Sequence, residues 1–345
     1  MSTSKPCSND RNEHERNYGV ENYGTNGFAG PIPIISSAEA QRALDQVMDE
    51  CRDHGDGSKL QGNQRFKTHL YLSEISRTVH NPRLTAEVRK VLQSQLICLW
   101  SSDLNVKLPA SQEFYSKHQD STYTGLKPAD KCLTVWVALS NPVGIREGCM
   151  QFLRGSHKLG QLPHVEDLPG SDDGNGSDYK NRDGNPLADK DDVKANNLLS
   201  RGQRVVLDPS KDNSADWVTI PLQAGEATFH SFFTIHESGF NHAYQPRVGL
   251  ALRYMTADVR QTGAVRECIT WIDPEDTGSS IEEASLHSHA RMVLEQYFDL
   301  EPRLPDSPSE EDIEIGRRAH EEAMRREESN YFQGTPTVKA YDQAN

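Results

Sequence analysis

A chain of 345 residues with 51 acidic against 37 basic side chains carries a formal net charge of −14, which opposes general binding to nucleic acid or anionic membranes. Hydrophobic residues make up 35% of it, so one sizeable core with polar appendages is expected. No segment reaches the ~18 apolar residues of a membrane span, the N-terminal stretch lacks the apolar run of a secretory leader, and six cysteines without a C-x-x-C pair read as reduced, scattered thiols; the expectation is a cytosolic protein.

Residues 1–28 are polar and Asn/Gly-rich and read as an N-terminal arm. Residues 29–305 are expected to form one domain. The stretch "PIPIISSAEAQRALDQVMDECRDHG" predicts a strand entering a helix, with Ser36 and Glu39 as a capping box, Leu44, Val47, Met48 and Cys51 at helical spacing, and Gly55 as its end. A second helix is predicted over "TAEVRKVLQSQL", with Val88, Val91, Leu92 and Leu96 on one face.

From residue 97 the rhythm becomes short apolar runs between turn residues: "ICLWSSDLNVKLP", "CLTVWVALS", "CMQFLRGSH", "QRVVLD", "WVTIPLQAGEATFHSFFTIH" and "RVGLALRYM". That spacing predicts an antiparallel sandwich or barrel, mainly β with flanking helices. The Asp- and Gly-rich insertion 168–195 lacks the calcium-loop pattern and reads as a surface loop. A helix over "GSSIEEASLHSHARMVLEQYF" is expected to lay Leu286, Ala290, Val293 and Leu294 on the sheet. The segment 306–345 is expected to form a charged helix lying loosely on the body or bridging to a second subunit, as in a homodimer, followed by a tail.

Residues two apart on a strand share a face, so His118 and Asp120 can present an imidazole and a carboxylate to one metal at about 2.0–2.2 Å. His230, His236 and His242 follow at six-residue intervals, and "ESGFN" predicts a turn after His236. Two histidines and one carboxylate leave positions open on Fe(II) for a chelating 2-oxo acid and O2. The distal carboxylate of 2-oxoglutarate then calls for an arginine. Spacing alone leaves His236 with Arg247 and His242 with Arg253 equivalent.

The ordered run of His118-x-Asp120, "GCMQFLRGSHK", "TIHESGFN" and "QPRVGLALRY" resembles the phytanoyl-CoA dioxygenase family of Fe(II)/2-oxoglutarate oxygenases. The resemblance implies a double-stranded β-helix, or jelly roll of cupin type. It implies His118, Asp120 and His236 as metal ligands, Arg247 and Ser238 for 2-oxoglutarate, and Lys107, Asn105 and Trp136 lining the cosubstrate pocket. The carboxylate at Asp120 favours hydroxylation over halogenation. "HQDSTYTGL", "NNLLSRGQ" and "LRYMTADVRQTG" look most like the branch acting on 2-aminoethylphosphonate and its N-methylated relatives, which implies Tyr123, Asn197, Arg201 and Arg260 as substrate contacts. The partner is then a small-molecule substrate. A cupin-like hydrolase or isomerase with zinc or manganese is the alternative, and it has no need of Arg247. The other histidines read as structural, with His157 bracing a turn, His164 in a loop, and His287, His289 and His320 facing solvent on helices.

Overall fold

The computed structural model describes residues 18–166, 196–199, 202–262, 265–274 and 281–331. Two sheets face one another. The larger has seven strands in the order β1 (Phe28–Pro33), β10 (Glu226–Ser231), β5 (Cys132–Ala138), β12 (Arg247–Thr256), β2 (Ile97–Lys107), β14 (Cys268–Ile272) and β15 (Asp299–Leu300). The smaller runs β3 (Tyr115–His118), β11 (His236–Ser238), β6 (Met150–Leu153) and β9 (Trp217–Thr219). Pairing is antiparallel except between β14 and β15. Two short ladders, β4 (Leu126–Lys127) with β13 (Arg260–Gln261) and β7 (His164–Glu166) with β8 (Gln203–Val205), complete the β structure among the described residues.

The strands of the larger sheet are buried along most of their length because both faces are covered. Leu104 and Val106 of β2, Leu133, Val135 and Val137 of β5, and Val248, Leu250, Leu252 and Tyr254 of β12 belong to one apolar core. The helices α1 (Ser37–His54), α2 (Ser73–Val79) and α3 (Pro82–Leu92) contribute Ala40, Ala43, Val47, Ile75, Val79, Leu84 and Val88 to that core. The period-two alternation turns the intervening residues toward the smaller sheet. These are Asp103, Asn105 and Lys107, Thr134, Trp136 and Ala138, and Arg247, Gly249, Ala251 and Arg253. One face of the sheet is therefore hydrocarbon and the other carries the chemistry.

The predicted capping box at Ser36 and Glu39 is formed, with Ser36 N donating to Glu39 Oε2 at 2.7 Å and Glu39 N to Ser36 Oγ at 3.2 Å. The helix α3 starts earlier than its apolar pattern indicated, because Asn81 caps it and Pro82 occupies its first turn. Residues 18–26 are folded rather than arm-like, since the Tyr18 ring stacks on Phe28 at 5.4 Å. On α4 (Ile281–Leu294) only the end of the expected stripe reaches the core. Leu294 is buried, whereas Leu286 is 58% exposed. The insertion 168–195 lies outside the described residues, and so does the tail beyond residue 331.

The charged helix α5 (Glu310–Tyr331) does not lie loosely on the body. Arg317 donates two 2.8 Å hydrogen bonds to the buried carboxylate of Glu50, a bidentate arrangement, and its guanidinium sits 4.4 Å from the centre of the Tyr71 ring. His320 faces inward rather than to solvent and donates to Phe66 O at 2.9 Å. Gly316 lies so close to the body that a Cβ there would stand 1.9 Å from Leu70 O. Gly316→Ala is expected to destabilise the protein by about 1–3 kcal/mol through this overpacking, measured by urea unfolding. Unchanged stability would mean that α5 does not dock as described.

Candidate active site

His118 ends β3 and His236 begins β11, and the two are paired in register across the smaller sheet, their ring centres 4.1 Å apart. Asp120 completes a buried group whose ligand atoms lie within 4.8 Å of one another. Its Oδ1 is 3.6 Å from His118 Nε2 and 3.9 Å from His236 Nε2. Each histidine donates its Nδ1–H to the carbonyl two residues earlier, His118 to Ser116 O at 2.7 Å and His236 to Thr234 O at 2.9 Å. That fixes both tautomers and leaves both Nε2 lone pairs facing Asp120, the form a metal requires.

Asp120 does not reach this position from a strand. β3 stops at His118, and Asp120 has right-handed helical torsions (φ −63°, ψ −30°) at the start of the turn Ser121–Thr124. The buried Gln119 anchors the crossing. Its amide donates to Gly160 O and Phe233 O at 2.8 and 2.7 Å, and its backbone N–H donates to His164 Nε2 at 3.1 Å. His164 is thus a buried brace on β7 rather than a loop residue.

Tyr123 and Thr134 each donate a hydroxyl to Asp120, and His230 Nε2 lies 3.4 Å from its Oδ2. Burial alone would raise the carboxyl pKa, but the imidazoles of His118 and His230 and the charge of Arg253 outweigh it and hold it well below the usual range. Burial, with the neighbouring His118 and His230, drives His236 well below an ordinary histidine. The set is therefore a neutral imidazole beside an ionised carboxylate, which fits a hard-to-borderline divalent cation.

The three histidines six residues apart separate because the chain leaves the larger sheet after Ser231 and re-enters the smaller one at His236. The break falls before His236, and the predicted "ESGFN" turn begins only after Ser238. His230 faces Asp120 from β10, and His242 is exposed.

A second group adjoins the triad through Ser238. The Lys107 ammonium donates to Ser238 Oγ at 2.6 Å, to Ser238 O at 3.1 Å and to Gly239 O, so it holds the end of β11. Burial and the nearby Arg247 push Lys107 well below its ordinary pKa. Arg247, cross-strand from Lys107, is 1% exposed, and its Nε and Nη1 have no hydrogen-bond partner among the described residues. Burial lowers the guanidinium to about 10, which leaves it charged at neutral pH. The Trp136 ring lies beneath it, 4.6 Å from Cζ, and Trp136 Nε1 donates to Asn105 Oδ1 at 3.0 Å, while Asn105 Nδ2 has no partner among the described residues. A buried cation with open donors is a strong preference for an anion.

Gly249 makes room for that ring, since a Cβ there would stand 1.9 Å from Trp136 Cζ2. Gly249→Ala is expected to displace Trp136 from beneath Arg247 and weaken the binding of a carboxylate ligand there by about tenfold, equivalent to ~1.4 kcal/mol. Calorimetric titration of the variant with 2-oxoglutarate checks this. Wild-type affinity would detach Trp136 from the anion pocket.

The structure does not gather all the residues named for the substrate. Tyr123 touches the triad. Asn197 is committed on both sides, Nδ2 donating to Ser116 Oγ at 2.9 Å and Oδ1 accepting from Leu199 N at 3.2 Å, so it ties its segment to β3. Arg260 donates to Ala257 O and Val259 O at 2.9 and 2.8 Å and covers the Tyr297 ring. Arg201 lies outside the described residues. Sequence reasoning missed Arg65, Asp103, Tyr115 and Thr134. The alternation along "DLNVK" was the available signal for Asp103, because it shares the face of Asn105 and Lys107.

The model of the phytanoyl-CoA dioxygenase (PhyH) family matches residues 35–249, more than half of the chain. The chain belongs to the phytanoyl-CoA dioxygenase family. That family lies within the Fe(II)/2-oxoglutarate-dependent oxygenase superfamily. Phytanoyl-CoA dioxygenase domain-containing protein 1 of Mus musculus is 25% identical over 195 residues, 56% of this chain and 56% of that protein, so the chain spans little more than half the length of this curated relative. Among solved structures, the non-heme monooxygenase ThoJ in its apo form superposes with a TM-score of 0.66 at 24% identity, over 91% of this chain and 97% of that one. The alpha-ketoglutarate-dependent epimerase SnoN from nogalamycin biosynthesis gives 0.50 at 20% identity, over 73% and 86%. At these identities the structural likeness concerns the jelly-roll fold. No described helix is long and apolar enough to cross a membrane.

Proposed function

We propose that this protein is a non-haem Fe(II)/2-oxoglutarate-dependent dioxygenase that hydroxylates an aliphatic C–H of a small polar substrate, with release of succinate and CO2. The observation that carries this reading is a buried guanidinium with open donors, Arg247, whose cross-strand neighbour Lys107 donates to Ser238, two residues beyond His236 of the buried His-Asp-His group. His118, Asp120 and His236 would hold the iron, and the bound Fe(II), 2-oxoglutarate and O2 supply the oxidising chemistry. Arg247 neutralises the distal carboxylate of 2-oxoglutarate, Ser238 is placed beside it by Lys107, and Trp136 and Asn105 floor and wall the pocket. Tyr123 and Thr134 keep the Asp120 carboxylate oriented, and His118, His230 and Arg253 keep it ionised. The hydrolase or isomerase alternative leaves Arg247 a buried cation without a task.

Adding Fe(II) and 2-oxoglutarate to the protein without O2 is expected to produce the weak visible absorbance of their complex, and admitting O2 with substrate is expected to release succinate. Absence of the complex removes this reading. For the prime substrate we infer a 2-aminoethylphosphonate or an N-methylated relative, supported by the segments around Tyr123 and Arg253. A 31P resonance moved to that of a 1-hydroxy product supports it. Consumption of 2-oxoglutarate only with other compounds removes the phosphonate and leaves the oxygenase.

A further inference from the structure

His230 borders the triad without belonging to it. It is 1% exposed, its Cα pairs with Phe28 on one side and Thr134 on the other, and its ring centre lies 5.3 Å from that of Phe152 and 4.3 Å from that of His236. Neither of its nitrogens makes a hydrogen bond among the described residues. Burying an imidazole in this way is unfavourable, because each nitrogen gives up water without a replacement. Two buried histidines that serve the scaffold look different. His69 bonds Ser102 Oγ and Thr270 Oγ1, both at 2.8 Å, and His164 accepts from Gln119 N at 3.1 Å while its Nδ1 meets Leu162 O at 3.0 Å. Packing alone would be served by a side chain without polar atoms, so the imidazole at 230 points to a partner within the site.

That partner is one oxygen of Asp120, whose carboxylate has two distinct sides. Oδ1 faces the proposed ligands, 3.6 Å from His118 Nε2 and 3.9 Å from His236 Nε2, and accepts from Tyr123. Oδ2 turns toward the larger sheet, accepts from the Thr134 hydroxyl and lies 3.4 Å from His230 Nε2, an approach that falls short of a hydrogen bond. β10 and β5 pair in a register that sets His230 directly beside Thr134, so both side chains reach the same oxygen. A carboxylate whose second oxygen is taken by two donors has one oxygen left for a metal, and donors of this kind fix the direction from which it binds.

We propose that His230 is a positioning residue for the metal: its Nε2–H, together with the Thr134 hydroxyl, occupies Oδ2 of Asp120, so that the carboxylate offers Oδ1 alone to the cation. This rests on the oxygenase reading and deepens it. The 3.4 Å approach closes into a hydrogen bond when Oδ1 is drawn onto the cation. His230 is not itself a ligand, and it stands outside the group of ligand atoms within 4.8 Å of one another.

Two independent measurements on the full chain test this. With 15N-labelled histidine in the metal-free protein, long-range proton–nitrogen correlations are expected to show His230 as the Nε2–H tautomer, opposite to the Nδ1–H of His118 and His236. The spectrum of His230→Gln assigns the signal. The second measurement is titration with Fe(II) alone, without O2. Glutamine places its amide nitrogen where the imidazole has Nε2, whereas asparagine places its own nearer Nδ1. His230→Leu and His230→Asn are each expected to weaken Fe(II) binding at least about tenfold, the loss usual when a group supporting a ligand is removed, and His230→Gln to stay within about threefold of wild type. Circular dichroism of each metal-free variant reports the fold, and should the leucine and asparagine variants fail to fold, the wild-type tautomer still decides. A ring whose Nε2 carries no proton would overturn the role and make His230 a further ligand. Leucine and asparagine variants that bind Fe(II) like wild type would overturn it too, as would a glutamine variant as weak as the leucine one, which would mark the ring as packing. A wild type that does not bind Fe(II) fails the oxygenase reading and takes the role of His230 with it, whereas Fe(II) binding that is indifferent to the residue at 230 fails that role alone.

Discussion

His236→Ala is expected to reduce Fe(II) affinity by at least about a hundredfold and to abolish turnover. The lower bound follows from the 10–100-fold losses usual when only a group supporting a ligand is removed. His236 supplies one of three nitrogen and oxygen ligand atoms that lie within 4.8 Å of one another. The fold is expected to survive, because β11 is held by backbone pairing to β3 and β6 and the imidazole makes a single bond, to Thr234 O. Metal titration, circular dichroism and thermal unfolding of the metal-free protein separate these effects. A variant that keeps wild-type iron affinity would pass the ligand role to His230, whose Nε2 is already 3.4 Å from Asp120.

The second large effect is expected at Arg247, and it has two opposed parts. Arg247→Ala is expected to raise the KM for 2-oxoglutarate at least about tenfold, because a charge-assisted bidentate contact in a dry pocket is roughly twice as strong as a neutral one, while the KM for the prime substrate changes little. The side chain is fully buried, with Nε and Nη1 unpartnered among the described residues. Arg247→Met is therefore expected to stabilise the cosubstrate-free protein by about 1 kcal/mol or more, even as cosubstrate binding is lost. Steady-state kinetics and urea unfolding read the two parts. An unchanged KM would move the role to Arg253. A clear loss of stability would show that the guanidinium is a structural element.

Much of the scaffold was legible in the amino-acid order because its cause is local. The alternation of apolar residues along "RVGLALRYM" and "CLTVWVALS" specifies buried strands whatever their neighbours, and it places Arg247 and Arg253 on one face. Ser36 and Glu39 define a helix start within four residues. The triad was legible for a weaker reason. His118 and Asp120 were paired by strand spacing, yet Asp120 enters through a helical turn, so the right residues were reached by an incomplete argument.

What only the tertiary structure decided involves groups distant in sequence whose meeting depends on strand order. Nothing local says that Arg65 and Arg253 share Asp103, since that follows from β12 pairing with β2 and from the bridge between Phe66 and Asp103. Nor does charge content reveal that α5 docks, because a few inward groups, the Arg317–Glu50 pair, His320 on Phe66 O and the buried Ala323 and Met324, hold a helix that is polar on most of its surface. Alternation encodes which face a side chain occupies. Burial with no ion-pair partner among the described residues, the property that distinguishes Arg247 from Arg253 with Asp103 at 3.9 Å, is a relation between strands and exists only once the sheets have closed.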